Sequence, residues 1–99
     1  MGLLDRFRRK DDQNSRIARL LQSGRIIEGR VIEVTADEEG NVYQILYGYD
    51  VGGVQYESLH SLEAEPQTDR ARYVPGAQVI IRYDPRQPAN SIVVSSLGR

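Results

Sequence analysis

The sequence predicts a mainly β protein, in which a short N-terminal amphipathic helix precedes a small five-stranded antiparallel sheet. The sheet is expected to curl, or to close into a barrel of the oligonucleotide-binding (OB) or SH3-like type. Five short segments have strand patterns, and two turn signatures, Tyr-Val-Pro-Gly at 73–76 and Tyr-Asp-Pro-Arg-Gln-Pro at 83–88, bracket one of them. No second helix of comparable strength is indicated. Curling removes the sheet edges, and side chains fill so small a barrel, so we expect no internal ligand cavity.

The helix is predicted over about residues 15–23. Ile17, Leu20 and Leu21 have the i, i+3, i+4 spacing of an amphipathic helix, and Gly24 stands where a C′ glycine ends one. The preceding polar residues offer N-cap side chains. We therefore divide the chain into a basic, flexible N-terminal segment, 1–14, and a single domain, 15–99, whose β body spans 26–95.

The first two strands are predicted at residues 26–34 and 43–51. β-Branched residues dominate the first, and Gly29 interrupts it at a position suited to a bulge or a barrel bend. In the second, Tyr43, Ile45, Tyr47, Tyr49 and Val51 occupy every second position. This period of two is typical of a half-buried strand.

Turn residues place the other strands. The Gly52-Gly53 pair has the pattern of a two-residue hairpin turn with positive φ, and the chain returns through residues 54–59. Strands four and five are predicted at 77–83 and 90–95, joined by the proline-bounded turn, because proline has no N–H for a ladder. Residues 60–72 are polar and lack a period, which predicts a long loop.

The composition limits the function classes. The 99 residues contain no cysteine, which excludes disulfides, thiolate nucleophiles and sulfur-based zinc sites. No apolar run reaches the roughly 20 residues of a membrane span, and the N-terminus lacks a signal-peptide pattern. We therefore expect a soluble, cytoplasmic protein, at most peripheral at the membrane.

The charge is distributed unevenly along the chain. Residues 1–25 carry seven basic and three acidic side chains, a net charge of +4, whereas residues 26–99 carry six and eleven, a net charge of −5. This pattern disfavours nucleic-acid binding by the body. It leaves the N-terminal segment as the candidate for an anionic partner.

Four motifs of the body carry a family resemblance. They are Gly-x-Val at 29–31, Tyr-x-Tyr-x-Val-x-Gly-x-x-Tyr at 47–56, and the two proline turns. Over residues 26–95 the chain resembles the prokaryotic domain-of-unknown-function family 3592. The resemblance implies a small β domain, frequently tethered to membranes, with no established activity and no catalytic residues to transfer. This chain differs in lacking the membrane-spanning helices common in the family, and in having Gln87 where the family often has Asn.

His60 is the only histidine, and it is the first residue to consider for catalysis or metal binding. Both roles need partners. The nearby Glu57, Glu63 and Glu65 are carboxylates of the kind that any soluble loop carries. We interpret His60 as a solvated loop residue.

Other residues predict no catalytic, cofactor or metal site. Ser58, Ser61 and Ser91 lack the Gly-x-Ser-x-Gly context of a hydrolase. The acidic run 37–39 lacks the alternate ligand spacing of a calcium loop, so we interpret it as a hairpin tip. No glycine-rich phosphate-binding motif occurs. The chain is therefore expected not to be an enzyme.

Four tyrosines form a candidate aromatic surface: Tyr43, Tyr47, Tyr49 and Tyr56. Exposed rings on a small barrel stack bases in single-strand binders. Those binders also line the path with Lys and Arg, whereas residues 26–99 contain no lysine. We therefore favour rings that pack in the core or at its rim with their hydroxyls in water, and we keep nucleic-acid binding as the alternative.

The N-terminal segment contains a candidate membrane or partner contact: Leu3, Leu4, Arg6, Phe7, Arg8, Arg9 and Lys10. Its apolar residues have helical spacing, which fits weak, salt-sensitive contact with an anionic membrane. So short a helix is marginal in water, and a frayed, solvated terminus is the other interpretation. The function predicted is that of a non-catalytic interaction or accessory module with an unidentified protein partner. The alternatives are a nucleic-acid-binding barrel and a peripheral membrane protein.

Overall fold

The computed structural model describes residues 14–96, with side chains up to residue 94. Helix α1, residues 14–23, precedes five antiparallel strands in a nearly closed, barrel-like sheet, which confirms the predicted fold class. The elements that follow are β1 (Arg25–Ala36), β2 (Val42–Val51), β3 (Val54–Ser61), the single helical turn α2 (Gln67–Arg70), β4 (Gln78–Asp84) and β5 (Gln87–Ser96). No helix within residues 14–96 has the length and apolarity needed to cross a membrane.

β1 is the strand that lets the sheet curl. The strand order is β3-β2-β1-β4-β5, and β1 pairs with β4 along its first half and with β2 along its second half. The edge strands β3 and β5 then come into contact and nearly close the barrel. One irregularity of β1 lies at Ile32, between the register pairs of Val31 and Glu33. No bulge lies at Gly29, where the register with β4 is unbroken; instead, β1 approaches the Gly48 carbonyl closely there.

The hairpin between β2 and β3 has the predicted two-residue turn. Val51 and Val54 are register partners, and Gly52 and Gly53 have φ values of 60° and 87°. Residues with a branched side chain rarely adopt such angles. The Gly53 N–H donates a hydrogen bond to Asp50 Oδ1 (3.0 Å), which fastens the turn.

The predicted long loop over residues 60–72 is partly wrong. β3 continues through His60 and Ser61, which pair with Ile45 and Gln44 of β2, and α2 forms part of the remainder. β3 is an edge strand with polar residues on both faces, so its sequence has little periodicity. β5 also begins earlier than predicted, because Gln87 pairs with Asp84 directly across the turn.

The main core lies inside the curled sheet. Its buried residues are Val31, Ile45, Tyr47, Tyr49, Leu62, Tyr73, Val79, Ile81, Tyr83 and Val93. α1 lies outside the sheet, where Arg16 Nη1 donates to Asn90 Oδ1 (2.8 Å) and Arg82 Nη1 donates to the Gly24 carbonyl (3.0 Å). Leu20 and Ile92 are buried but do not belong to the main cluster. α1 therefore covers the outer face of β4 and β5.

Candidate functional site

The four candidate tyrosines do not form one surface. Tyr47 and Tyr49 are 0% and 4% exposed, Tyr56 is half-buried, and Tyr43 is exposed. Tyr47 and Tyr56 each stack on Tyr49, with ring centroids 5.9 and 5.7 Å apart. Alternation along β2 turns the rings of Tyr47 and Tyr49 inward, beside the buried Ile45. The aromatic-surface interpretation is therefore wrong for these two residues, which pack in the core.

The hydroxyls of the buried tyrosines bind protein groups rather than water. Tyr47 Oη lies 2.6 Å from Ser91 Oγ, and Tyr49 Oη donates to the Pro88 carbonyl. Both partner groups belong to β5, which lies at the opposite edge of the sheet from the β3 and β2 pair. Burial raises the pKa of Tyr49 above its usual value. The tyrosines of β2 thus link the two sides of the barrel.

His60 is a half-buried strand residue, not the solvated loop residue that the sequence indicated. It lies opposite Ile45 in the register, on the inner face of β3. Its Nε2 is 3.6 Å from Glu65 Oε2, and the other carboxylate oxygen of Glu65 accepts a hydrogen bond from Tyr73 Oη (2.8 Å). The prediction failed because the last residues of β3 were assigned to a loop.

Arg70 holds the segment that carries Glu65. Its guanidinium donates to the carbonyls of Glu65 (2.9 Å) and Glu63 (3.1 Å). Glu65 Oε2 is buried and has no hydrogen-bond partner among the described residues, and the His60 Nε2 atom lies 3.6 Å from it. The cluster of His60, Glu65 and Tyr73 thus ties the chain after β3 to the core.

Burial sets the protonation of this cluster. Burial lowers the pKa of His60 below its ordinary value of 6.5, and the carboxylate of Glu65 opposes that shift without cancelling it. Burial, with the hydrogen bond to Glu65, raises the pKa of Tyr73. His60 is therefore neutral, and the Tyr73 hydroxyl protonated, near neutral pH.

The lowered pKa predicts a pH-dependent contribution of His60 to stability. The unfolded chain binds the imidazole proton more tightly than the folded chain, so this contribution is complete above about pH 6.5 and is lost as the pH falls through the folded pKa. We expect wild type to lose more free energy of unfolding than His60→Gln between about pH 7.5 and about pH 5. Urea titrations of both proteins at the two pH values measure the difference. Equal losses would contradict the assignment.

The acidic run 37–39 serves the turn between β1 and β2. Asp37 Oδ1 accepts hydrogen bonds from the N–H groups of Glu39 and Asn41, each at 2.9 Å. These donors, with that of Asn41 contributing most, hold the pKa of Asp37 below its usual value. Among the described residues no group of three or more His, Cys, Asp or Glu side chains is placed to hold a metal ion.

The outer face of β1, β2 and β3 carries an exposed apolar cluster. Leu46 and Leu59 are register partners on the face opposite the core. Ile32 lies beside them, since its Cδ1 would be 2.9 Å from a Cβ added at Gly48. Leu59 is 61% exposed and Ile32 is 40% exposed. We call Ile32, Leu46 and Leu59 the outer apolar patch.

Acidic side chains surround the outer apolar patch. Glu33 is the register partner of Leu46, and Glu57 is that of Gly48. A groove of about 460 Å³ borders the patch where Gly48 has no side chain, and Glu28, Asp50 and Arg30 are the charged residues that line it. Four carboxylates and one guanidinium therefore give this face a negative charge.

Sequence reasoning missed the outer apolar patch. Leu46 is a large apolar residue on the outer face of β2, where Gln44 and Asp50 are polar, which was a readable signal. The pairing of Leu46 with Leu59 depends on the register of the hairpin, and the position of Ile32 depends on the irregularity of β1. The N-terminal candidate residues, Leu3, Leu4, Arg6, Phe7, Arg8, Arg9 and Lys10, lie outside the described residues.

The fold and this surface define a small antiparallel β domain, nearly closed into a barrel, with a helix on its outside. The chain belongs to the family described as Domain of unknown function (DUF3592), whose family model matches residues 22–98, from within α1 to beyond β5. No curated protein and no solved structure matches the chain.

Proposed function

We propose that this protein is a non-catalytic interaction module that binds a partner protein through the outer apolar patch. The observation that carries the proposal is the clustering of Ile32, Leu46 and Leu59 on one outer sheet face, with Leu59 61% exposed. Scattered exposed apolar residues need no explanation, but a contiguous group rimmed by polar residues is typical of an interaction site. Covering these side chains would provide hydrophobic free energy for binding.

The acidic rim indicates the chemistry of the partner. Glu33 and Glu57 lie next to the patch, and Glu28 and Asp50 line the adjoining groove. Complementary charge speeds association and disfavours wrong partners. We therefore expect a protein segment that presents apolar side chains flanked by Lys or Arg.

The alternative functions have less support. Base stacking would need exposed rings, whereas Tyr47 and Tyr49 are buried and the outer face carries negative charge. Contact with an anionic membrane would rest on residues 1–13, outside the described part of the chain. An enzyme would need a convergent set of reactive groups, and the most promising cluster, around His60, is a structural tie.

A charge-introducing substitution in the patch tests the proposal. Leu59→Lys places a cation where a basic partner would dock, and Lys is well tolerated on an edge strand. The matched control is Val74→Lys, because Val74 is 52% exposed and lies outside β1, β2 and β3. Partners are captured from an extract of the native host, identified, purified and titrated calorimetrically against wild type and both variants.

We expect one captured protein to bind wild type and Val74→Lys equally, and Leu59→Lys at least about tenfold more weakly, as for a residue at the centre of an interface. Its binding segment should be basic and apolar. A partner that binds Leu59→Lys as well as wild type would refute the assignment of this face. Circular dichroism and a urea midpoint verify that both variants are folded.

A further inference from the structure

A second groove lies between α1 and the turn that joins β4 to β5. It has a volume of about 460 Å³ and does not share residues with the groove beside the outer apolar patch. α1 contributes Arg16 and Arg19, and the turn region contributes Asp84, Arg86, Gln87 and Asn90. Helical spacing of three residues places Arg16 and Arg19 on the same face of α1, and hence on the same wall.

The charge of this groove is opposite to that of the body. Three guanidinium groups face one carboxylate, whereas residues 26–99 as a whole carry a net charge of −5. Within residues 14–94, neither Arg19 nor Arg86 forms an ion pair, and both are exposed. Two cationic side chains therefore line the groove without a charged protein partner in the described part of the chain.

The walls of the groove are fixed by hydrogen bonds. Arg16 Nη1 donates to Asn90 Oδ1 (2.8 Å) and to the Ser91 carbonyl (3.2 Å), which holds α1 against β5. Asp84 Oδ1 accepts a hydrogen bond from the Arg86 N–H (2.8 Å), so the acidic group is engaged by the turn itself. The backbone segments that carry Arg19 and Arg86 are thus held in place before any ligand arrives, which lowers the entropic cost of binding.

We propose that this groove binds the phosphate group of an anionic ligand, with Arg19 and Arg86 contacting the phosphate oxygens from opposite walls. Planar guanidinium groups donate paired, charge-assisted hydrogen bonds that match phosphate geometry. The side-chain amides of Gln87 and Asn90 add neutral donors at the same wall. The phosphate belongs either to a soluble metabolite or to a lipid headgroup, and both present the same chemistry to the arginines.

Inorganic pyrophosphate is the probe for the soluble source. Amide chemical shifts of the full-length protein are followed during a titration at low salt, for wild type, Arg19→Gln, Arg86→Gln and the double variant. Neither substitution removes a hydrogen bond of the fold. Ser23 Oγ donates to the backbone carbonyl of Arg19, and Asp84 Oδ1 accepts from the backbone N–H of Arg86, so both bonds are independent of the arginine side chains. Arg72→Gln is the control, since Arg72 is exposed and lies outside the groove.

We expect saturable shifts confined to residues 16–24 and 84–91 in wild type and Arg72→Gln. Each groove substitution should raise the dissociation constant about tenfold, as expected for loss of a hydrogen bond between charged groups. The double variant should show no saturable binding. Chemical-shift changes of similar size near every exposed arginine would indicate nonspecific charge attraction. That result would overturn the assignment of the groove to a soluble phosphate.

Vesicles of phosphatidylcholine with phosphatidylglycerol are the probe for the lipid source. Wild type and all variants retain residues 1–13, so any loss of cosedimentation in the double variant reports on the groove rather than on the N-terminal segment. If the double variant loses cosedimentation with vesicles and the wild type does not bind pyrophosphate, the groove binds lipid headgroups. If the wild type binds pyrophosphate through the groove and cosedimentation is unchanged in the double variant, the groove binds a soluble phosphate. Binding of both probes that is unaffected by the two substitutions, or binding of neither probe, refutes the proposal.

The groove and the outer apolar patch are tested independently. Leu59→Lys leaves Arg19 and Arg86 in place, and the arginine substitutions leave the patch unchanged. Failure of either proposal therefore does not affect the other.

Discussion

Tyr47→Ala is expected to destabilise the domain more than any other single truncation considered, by about 3–5 kcal/mol. Tyr47 is 0% exposed, stacks on Tyr49 at 5.9 Å and contacts Ser91 Oγ at 2.6 Å. Truncation would leave a cavity in the main core and an unpartnered hydroxyl on Ser91. A loss of this size approaches the whole stability of many small domains, so the variant should be largely unfolded at room temperature.

Two substitutions separate the contributions to this effect. Tyr47→Phe keeps the ring and removes the hydroxyl, so we expect a loss of about 1–2 kcal/mol from the broken hydrogen bond to a buried group. Tyr43→Ala truncates the same residue type on the same strand, where the ring is 39% exposed. We expect it to lower the free energy of unfolding by no more than Tyr47→Phe does. Urea unfolding followed by far-UV circular dichroism measures all three. If Tyr47→Ala retained a wild-type midpoint, Tyr47 would not support the core in this way.

The strict alternation of β2 was enough to predict its secondary structure and to place Tyr47 and Tyr49 on one face. It was not enough to show that this face is the inside of a barrel, which depends on how the sheet curls. The contacts of the two hydroxyls were also hidden, because Ser91 and Pro88 are about forty residues away in sequence. Pairing partners at such separations are set by topology, not by local pattern.

Turn chemistry was the most reliable guide to the fold. The Gly52-Gly53 pair predicted the turn type, and the two proline turns predicted where β4 begins and ends to within one or two residues. β3 was truncated in the prediction because His60 and Ser61 have no apolar alternation. Its true end is defined by hydrogen bonding to β2 and by the position of His60 beside Ile45.

The candidate sites illustrate a different limit. The outer apolar patch joins residues from three strands, and the groove joins α1 to a turn more than sixty residues later in the chain. Each surface contains ordinary residue types, so no motif marks it in the sequence. Charge was partly informative: the sequence showed that the N-terminal quarter is basic, and the structure places Arg16 and Arg19 of that quarter in the same groove as Arg86.

Gly29→Ala is the second substitution with a large expected effect. A Cβ at Gly29 would lie 2.6 Å from the Gly48 carbonyl oxygen and would clash with the end of the Ile81 side chain. Ile81 is 0% exposed and has little room to move, and the carbonyl belongs to the backbone of β2. Relief therefore requires β1 and β2 to separate, which we expect to lower the free energy of unfolding by about 1–3 kcal/mol.

Gly48→Ala is the matched control for Gly29→Ala, because both glycines lie in paired strands and have negative or extended φ. Its nearest neighbour would be Ile32 Cδ1 at 2.9 Å, the flexible end of an exposed side chain that can rotate away. We therefore expect a change within about 0.5 kcal/mol in the free energy of unfolding, as for other surface substitutions. Urea titrations of both variants give the comparison. Equal losses of stability in the two variants would show that the close approach of β1 to Gly48 does not limit the packing of the sheet. The expected larger loss for Gly29→Ala would show that the curl of the barrel depends on the absence of a side chain at Gly29.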